Sequence, residues 1–189
     1  MTAASRRRCS QVLLSLTLLT AIGASLFTSR GGDGLLGALL AALMLAIAVT
    51  DFHRYTIPNE LTAAAVALGL VRAGLVGQDA DWSAVLQAAL RAGAVTLPLL
   101  ALMIAYRRWR GRDGLGLGDV KLGAVAGVWL GLATIFAVIE LASVAALAAY
   151  LIASRLRKRP LNATAFLPFG SFLAPAIWLG WLAETMLQP

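Results

Sequence analysis

Residues 35–54 read LLGALLAALMLAIAVTDFHR, an apolar run that ends in an aspartate and then in basic residues. The part before Asp51 has no charged residue, which is typical of a helix that is buried or lies in a membrane. The whole chain decides between the two, because 60% of its 189 residues are hydrophobic and only 13% are charged, against about a quarter in soluble proteins. With a mean hydropathy of +0.81, it is predicted to be an integral membrane protein embedded in the lipid bilayer.

Seven apolar runs follow one another along the sequence. They span residues 12–27, 35–50, 61–76, 84–106, 120–133, 134–153 and 165–187. Only Gly131 and Thr134 mark the division between the fifth and sixth runs, so that division is the weakest. We therefore predict an all-α polytopic membrane helix bundle of about seven transmembrane helices, with six as the alternative, and a single domain over residues 1–189.

Basic residues indicate the orientation of these helices. They form four clusters, at residues 6–8, 54, 107–121 and 155–159. The two loops on the other side, 29–34 and 77–81, are much less basic. Because basic loops are retained in the cytoplasm, seven helices with a cytoplasmic amino terminus place all four clusters on the cytoplasmic side. A signal peptide at the first run is an alternative interpretation that leaves this sidedness unchanged.

Two aspartates stand where apolar runs meet basic loops. Asp51 ends the second run and Asp119 begins the fifth, so both are predicted at the cytoplasmic face. Two nearby carboxyl groups share a proton, and the pair can then activate water and polarise a carbonyl, which is the chemistry of peptide hydrolysis without a metal. Since a helix amino terminus favours a carboxylate, we expect Asp119 to be ionised and Asp51 protonated. Taken alone, each aspartate is also explained as a solvated helix end or cap.

Glycines precede the second aspartate. Gly116 and Gly118 carry no side chain, which lets a backbone segment or a substrate strand approach the carboxyl group of Asp119 closely. A dinucleotide-binding loop would also be rich in glycine, but the preceding residues 107–113 are basic and predict no strand. The glycine run is therefore interpreted as an active-site loop.

Two further segments interrupt the helical pattern near the same face. Pro58 breaks a helix and Asn59 is a suitable cap, so together they predict a turn that opens the third helix. Residues 167–172, LPFGSF, predict either a non-helical start of the last helix or a kinked helix. Taken singly, each segment is compatible with an ordinary loop or kink.

Several other functions are disfavoured by the sequence. The formal charge of +7 lies in orientation clusters without a nucleic-acid-reading module, so no nucleic acid partner is predicted. Cys9 is the only cysteine and His53 the only histidine, so no metal site and no cofactor are predicted. Glu140 lies inside an apolar run and would need a partner or a wet cavity.

Taken together, these motifs resemble the type IV prepilin peptidases, membrane aspartyl proteases of the GxGD type. The resemblance rests on Asp51 followed by residues 57–59 (IPN), on residues 116–122 (GLGDVKL) and on residues 168–170 (PFG). It implies that a basic leader is cleaved from prepilins or pseudopilins at the cytoplasmic face of the bacterial inner membrane, after a glycine and before the substrate's hydrophobic helix. It also implies that Asp51 and Asp119 are the catalytic pair. The residues implied to shape the loop or to position the substrate are Gly116, Gly118, Lys121, Pro58, Asn59, Pro168, Phe169 and Gly170.

The chain departs from the larger members of that family near its amino terminus. Those members have a cytoplasmic insert with paired cysteine motifs, which is associated with a methyltransferase activity. Here the first loop is residues 29–34 and Cys9 is the only cysteine. The resemblance is therefore to the short, protease-only form, similar to those that serve Flp-type pili, and no methyltransferase activity is expected.

Two competing functions are left open. A protease of the signal-peptide-peptidase or presenilin type shares the GxGD element but would cut within the substrate's apolar helix. A small transporter or assembly subunit would use Asp51, Asp119 and Glu140 as ion or proton sites and would not cut at all. No oligomeric state is predicted.

Overall fold

The computed structural model describes residues 3–29, 31–76, 81–111, 114–158 and 167–187, and all regular structure in these ranges is helical. The helices are α1 Ala3–Thr28, α2 Gly32–Arg54, α3 Asn59–Leu75, α4 Trp82–Arg110, α5 Leu117–Trp129, α6 Leu132–Leu156 and α7 Gly170–Leu187. The prediction of an all-α bundle with seven helices is confirmed in the described part of the chain. The fifth and sixth runs are separate helices, and they divide at Leu130 and Gly131, slightly before the expected position.

Four of these helices are long and apolar enough to cross a membrane, namely α1 from Gln11 onward, α2, α4 and α6. The helices α3, α5 and α7 are shorter, with 17, 13 and 18 residues. At about 1.5 Å per residue, α5 spans about 20 Å, which is less than the hydrocarbon core of about 30 Å. The chain is therefore a helical membrane protein in which four long helices accompany three shorter ones.

The helix ends follow from the local sequence. Beyond α2, Tyr55 takes a left-handed conformation with φ 53°, and Pro58 stands in an extended conformation directly before α3, as the predicted turn requires. Before α4, the Asp81 side chain accepts a hydrogen bond from the Ala84 N–H at 2.9 Å. After α4, Gly111 has φ 62°, a conformation that glycine adopts without steric cost.

The last helix begins later than its apolar run. Residues 167–169 are not helical, and the Phe169 N–H donates to the Leu167 carbonyl at 2.9 Å. Of the two interpretations of residues 167–172, the non-helical start is therefore confirmed.

The core is built around α5, whose residues from Leu122 to Trp129 are mostly buried. The helix α5 packs on α3, α4 and α7, while α2 packs on α1, α3 and α7, and α6 lies outside against α7. Trp129 of α5 and Trp181 of α7 meet edge to face, with ring centroids 6.3 Å apart. The Trp129 Nε1–H donates to the Ala65 carbonyl of α3 at 2.8 Å, so buried indoles tie three helices together.

The helices α2 and α7 come into close contact at Gly37. A β-carbon on Gly37 would lie 1.8 Å from Cη2 of Trp181, so only a residue without a side chain leaves room for the buried indole. This contact joins the amino half of α2 to the carboxyl half of α7, so the two packed helices are antiparallel and the amino end of α7 lies beside the carboxyl end of α2.

Helix ends from distant parts of the chain therefore meet on the same side of the bundle. One side, which we call the site end, gathers the carboxyl ends of α2 and α4 and the amino ends of α3, α5 and α7. The opposite side is held by a salt bridge of 2.5 Å between Arg72 and Asp33, and the Arg72 guanidinium lies 5.7 Å from the Trp129 ring centroid.

Candidate active site

Asp51 lies in the last turn of α2 and its carboxyl group is directed into the bundle. The residue is 6% exposed, and Oδ2 accepts a hydrogen bond from the Ser171 backbone N–H at 2.8 Å. A β-carbon on Gly170 would lie 3.0 Å from the same oxygen. The amino end of α7 therefore points at this carboxyl group, where its N–H groups stabilise negative charge. The sequence shows only that Asp51 stands at the carboxyl end of its own helix, which predicts the opposite effect.

Asp119 is the third residue of α5, after the amino-terminal cap Gly116. Its backbone N–H donates to the Gly116 carbonyl at 3.1 Å, and a β-carbon on Gly116 would lie 3.2 Å from Asp119 Oδ2. The side chain is half-buried. The predicted position at a helix amino terminus is confirmed, and Gly116 leaves room for the carboxyl group itself.

Burial, and after it the negative charge of Asp51, raise the pKa of Asp119 to about 6. A hydrogen bond with the Gly116 backbone lowers this pKa but does not outweigh them. The sequence predicts that the helix amino terminus favours the carboxylate at this position, and burial proves to be the stronger effect. Because Asp51 acts on the pKa of Asp119, the two carboxyl groups interact electrostatically, as a pair that shares a proton must.

We expect the Asp119→Asn variant to be more heat-stable than the wild type at pH 8 and equally stable at pH 4. A carboxyl group whose pKa is raised by folding stabilises the fold below its ordinary pKa of 3.8, and this contribution is lost as the pH rises through about 6. At pH 8 the wild type therefore holds a half-buried carboxylate that the amide variant lacks. Thermal unfolding in detergent, followed by tryptophan fluorescence, should show a gain of a few degrees at pH 8.

Asp81→Asn is the matched control for this measurement. Hydrogen bonds from the Ala84 N–H and from the Ser83 hydroxyl lower the pKa of the exposed Asp81, so folding favours its charged form and an amide brings no gain at pH 8. A gain for Asp119→Asn of equal size at pH 4 and pH 8 would show that the charge of Asp119 is not the cause.

Ile57 lies between the segments that carry the two aspartates. A β-carbon on Gly118 would lie 2.8 Å from Ile57 Cδ1, and one on Gly170 would lie 2.6 Å from the same atom. The open side of Gly118 is therefore filled by Ile57, which differs from the predicted role of that glycine in admitting a substrate strand. Contacts with one isoleucine join the starts of α5 and α7.

The remaining predicted residues lie in the same region. The Lys121 Nζ donates a hydrogen bond to Oδ1 of Asn59, which links α5 to the start of α3. The Pro168 carbonyl accepts a hydrogen bond from the Ser171 hydroxyl at 2.6 Å, and Phe169 packs against the core. The segments that carry all of the predicted site residues thus meet at the site end, and their individual roles stay predictions.

Two residues of this site have no predicted role in the sequence. Ile57 stands directly before Pro58, and Ser171 stands directly after Gly170. Neither carries a charge or a distinctive spacing, and only the three-dimensional contacts show that one touches both glycines and the other binds Asp51. Their position inside the predicted motifs was the one available signal.

Several basic residues lie near the site end, whereas Glu140 lies elsewhere. His53 and Arg54 lie in the last turn of α2, and Arg107, Arg108 and Arg110 lie in the last turn of α4, so these basic residues surround the site end. Glu140 is elsewhere, on an exposed side of α6. Within the described ranges, no three His, Cys, Asp or Glu side chains are grouped so as to hold a metal ion.

Comparison with known proteins gives the family of this chain. Residues 38–152 match the model of the type IV leader peptidase family. The chain is 36% identical to a prepilin leader peptidase/N-methyltransferase of Dickeya chrysanthemi, over 82% of this chain and 53% of that protein. Proteins of the same name match from Burkholderia pseudomallei strain 1026b, at 34% identity over 82% of this chain and 48% of the relative, and from Aeromonas hydrophila, at 29% over 88% and 56%.

The chain spans about half the length of the curated relatives that it matches. No solved structure gives a significant match. The family model covers more than half of the chain, including both Asp51 and Asp119 together with the glycines before the second aspartate. The chain belongs to the type IV leader peptidase family.

Proposed function

We propose that this chain is a membrane aspartic endopeptidase that cleaves the basic leader from type IV prepilins or pilin-like precursors. Asp51 and Asp119 are the catalytic pair in this proposal. The observation that carries it is that the site end brings together the starts of α5 and α7 and the end of α2, and with them two carboxyl groups that stand far apart in sequence, in a chain of this family. A solvated helix end, the ordinary explanation for either aspartate, would not be 6% exposed and bound by the end of another helix, as Asp51 is.

The pair would act by sharing one proton. In the singly protonated pair, the carboxylate takes a proton from a water molecule, and the water oxygen attacks the carbonyl carbon of the scissile peptide bond. The carboxylic acid donates its proton to the carbonyl oxygen. The neutral tetrahedral diol then collapses: the carboxylate takes a proton from one diol hydroxyl, the carboxylic acid protonates the leaving nitrogen, and the C–N bond breaks, which leaves the pair singly protonated as at the start. No metal and no covalent intermediate is needed for these steps.

The amino end of α7 contributes to this mechanism by its position. The Ser171 N–H donates to Oδ2 of Asp51, so the start of α7 fixes the orientation of this carboxyl group. A charge-assisted hydrogen bond of this kind stabilises the ionised form. We assign to Gly170 and Ser171 the role of orienting Asp51.

The position of the site at one end of the bundle also fits a substrate whose cleavage point borders its membrane helix. Basic residues at the ends of α2 and α4 surround the site end, and basic residues are retained in the cytoplasm. We therefore propose that the site faces the cytoplasm in the bacterial inner membrane, with the amino terminus on the same side, and that the substrate helix enters from the bilayer. The proposal concerns the peptidase reaction alone, because the single cysteine of the chain cannot form paired cysteine motifs, and we expect no methylation of the product by this chain.

The test is co-expression of the chain with a tagged prepilin, followed by mass spectrometry of the processed substrate. We expect a new amino terminus directly after the leader glycine, at the border of the hydrophobic helix, with the mass of an unmethylated product. A cut within the apolar helix would instead assign the chain to intramembrane proteases of the signal-peptide-peptidase type. Properly inserted protein that cuts none of several prepilins would contradict the peptidase proposal and favour a transporter or an assembly subunit.

A further inference from the structure

We propose that Ile57 is a positioning residue that sets the placement of the two aspartates relative to each other. Its δ-methyl group fills the space left by the absent side chains of Gly118 and Gly170. The inference rests on the proposed peptidase function and deepens it by assigning a role to a residue that carries no reactive group.

The geometry is unusual because one atom limits two positions. Cδ1 of Ile57 is the nearest atom to a β-carbon on Gly118, at 2.8 Å, and also to a β-carbon on Gly170, at 2.6 Å. Both separations are well below van der Waals contact, and Cγ1 and Cβ of Ile57 would also lie only 3.0 and 3.1 Å from a β-carbon on Gly118, so a side chain at either glycine would displace Ile57 or the backbone beside it. The backbones at the starts of α5 and α7 therefore both pack directly against the Ile57 side chain.

Each glycine stands directly before a residue that carries the proposed chemistry. Gly118 precedes Asp119, and Gly170 precedes Ser171, whose N–H holds Asp51 at 2.8 Å. A shift of either glycine away from Ile57 would move the adjoining group with it. Ile57 thus acts on one aspartate through the α5 backbone and on the other through the α7 backbone.

Ile57 is itself held by a short connection. Beyond α2, the Tyr55 N–H donates to the Asp51 carbonyl at 2.8 Å, and only Thr56 and Ile57 separate Tyr55 from Pro58, which has φ −62° and directly precedes α3. Few backbone dihedrals between Asp51 and Pro58 are free to change, since proline fixes its own and restricts the residue before it. The side chain of Ile57 packs on the hydrophobic core, so it is a fixed spacer.

Gly116 serves as an internal contrast. A β-carbon there would be closest to the Asp119 carboxyl group, at 3.2 Å, and no atom of Ile57 is among its three nearest neighbours. Of the two glycines before Asp119, the first therefore leaves room for the carboxyl group and the second leaves room for the spacer.

The test is a double-mutant cycle between Gly118→Ala and Ile57→Val, in which the valine lacks only the δ-methyl group. We expect Gly118→Ala to reduce kcat for prepilin cleavage by about 10- to 100-fold, because the new methyl group displaces the start of α5. We expect KM to change by less than about twofold, since the residue acts on the aspartates and not on substrate binding. Ile57→Val alone should cost about threefold. The double variant should be about threefold or more faster than Gly118→Ala but not fully restored, because Cγ1 and Cβ of Ile57, which valine keeps, would still lie 3.0 and 3.1 Å from the new β-carbon.

Gly123→Ala is the matched control on the same helix. A β-carbon on Gly123 would lie 2.8 Å from Cδ1 of Leu99, which is the same separation as between Gly118 and Ile57, but against a different side chain. Ile57→Val should therefore give no recovery of Gly123→Ala, whereas Leu99→Val should give some.

Each result of the cycle has a definite meaning. If the losses of Gly118→Ala and Ile57→Val multiply in the double variant, or if Ile57→Val recovers Gly123→Ala equally well, the spacer role is wrong. If Gly118→Ala yields no folded protein, the recovery of a monodisperse peak by the second substitution is scored instead, and its absence also overturns the proposal. A wild-type chain that cuts no prepilin would contradict the peptidase function itself. The wild-type reaction is measured first, so failure of the peptidase function is distinguished from failure of the spacer role.

Discussion

Replacement of either catalytic aspartate by asparagine should reduce prepilin cleavage by about 1000-fold or more. Asparagine keeps the shape of the side chain but can neither accept the proton of water as a carboxylate nor donate one as an acid, and acid–base catalysis of this kind contributes about 10²- to 10⁴-fold. Because the two carboxyl groups act as one unit, Asp51→Asn, Asp119→Asn and the double variant should all have the same residual rate. The rates are measured on purified protein with a tagged prepilin, as the fraction processed over time.

Glu140→Gln is the control for these variants, since it makes the same chemical change in the same membrane protein. Glu140 is exposed on α6, away from the site end, so the variant should process prepilin at the wild-type rate. Loss of activity in Glu140→Gln equal to that of the aspartate variants would favour the transporter hypothesis, in which all three carboxyl groups act together. Full activity in folded Asp51→Asn or Asp119→Asn would show that the pair is not catalytic.

Gly37→Ala should cause the largest loss of stability among single methyl additions to the bundle. The new β-carbon would lie 1.8 Å from Cη2 of Trp181, which is 0% exposed, so the indole has no free space into which it can move. Overpacking of a core costs about 1–3 kcal/mol and more where the neighbour is rigid. We expect a lower melting temperature in detergent by several degrees, and a parallel loss of cleavage because α7 carries Gly170 and Ser171.

Gly93→Ala is the matched control for this prediction. Gly93 lies inside α4, and a β-carbon there would meet nothing within 4 Å. Alanine is favoured over glycine inside a helix by about 0.5–1 kcal/mol, so this variant should be slightly more stable than the wild type. Equal melting temperatures for Gly37→Ala and Gly93→Ala would mean that α2 and α7 are not interlocked as described.

The helices themselves could be predicted because their signals are local. Apolar runs, Pro58 and the glycines near residue 131 indicate where helices begin and end without knowledge of any contact. The segments that carry the motif residues meet at the site end in the structure, and the roles of these residues in a site stay predictions. Helix boundaries differed most at α1, which begins at Ala3 and not at residue 12, because a helix continues through polar residues that an apolar run leaves out. At α7 the helix begins at Gly170, later than its apolar run, because an apolar composition does not distinguish a helix from the turn before it.

The electrostatics of the pair could not be predicted from single helices. The sequence places Asp119 at a helix amino terminus and Asp51 at a helix carboxyl terminus. These positions suggest that the ionised form is more stable at Asp119 than at Asp51. In the structure, burial and the charge of Asp51 act on Asp119, and the amino end of α7 acts on Asp51. These influences come from residues up to 120 positions away in sequence, so the position of each aspartate within its own helix does not show them.

The sequence by itself determined that this chain is a helical membrane protein with two aspartates on one side, because hydrophobicity, charge and helix breakers act over a few residues. Only the tertiary structure decided which groups touch these aspartates. Ile57 between Gly118 and Gly170, Ser171 on Asp51, and Trp181 against Gly37 are contacts between separate helices. Such contacts depend on how whole helices pack at close range, where a single methyl group decides whether two backbones can meet, and no local pattern in the sequence records that distance.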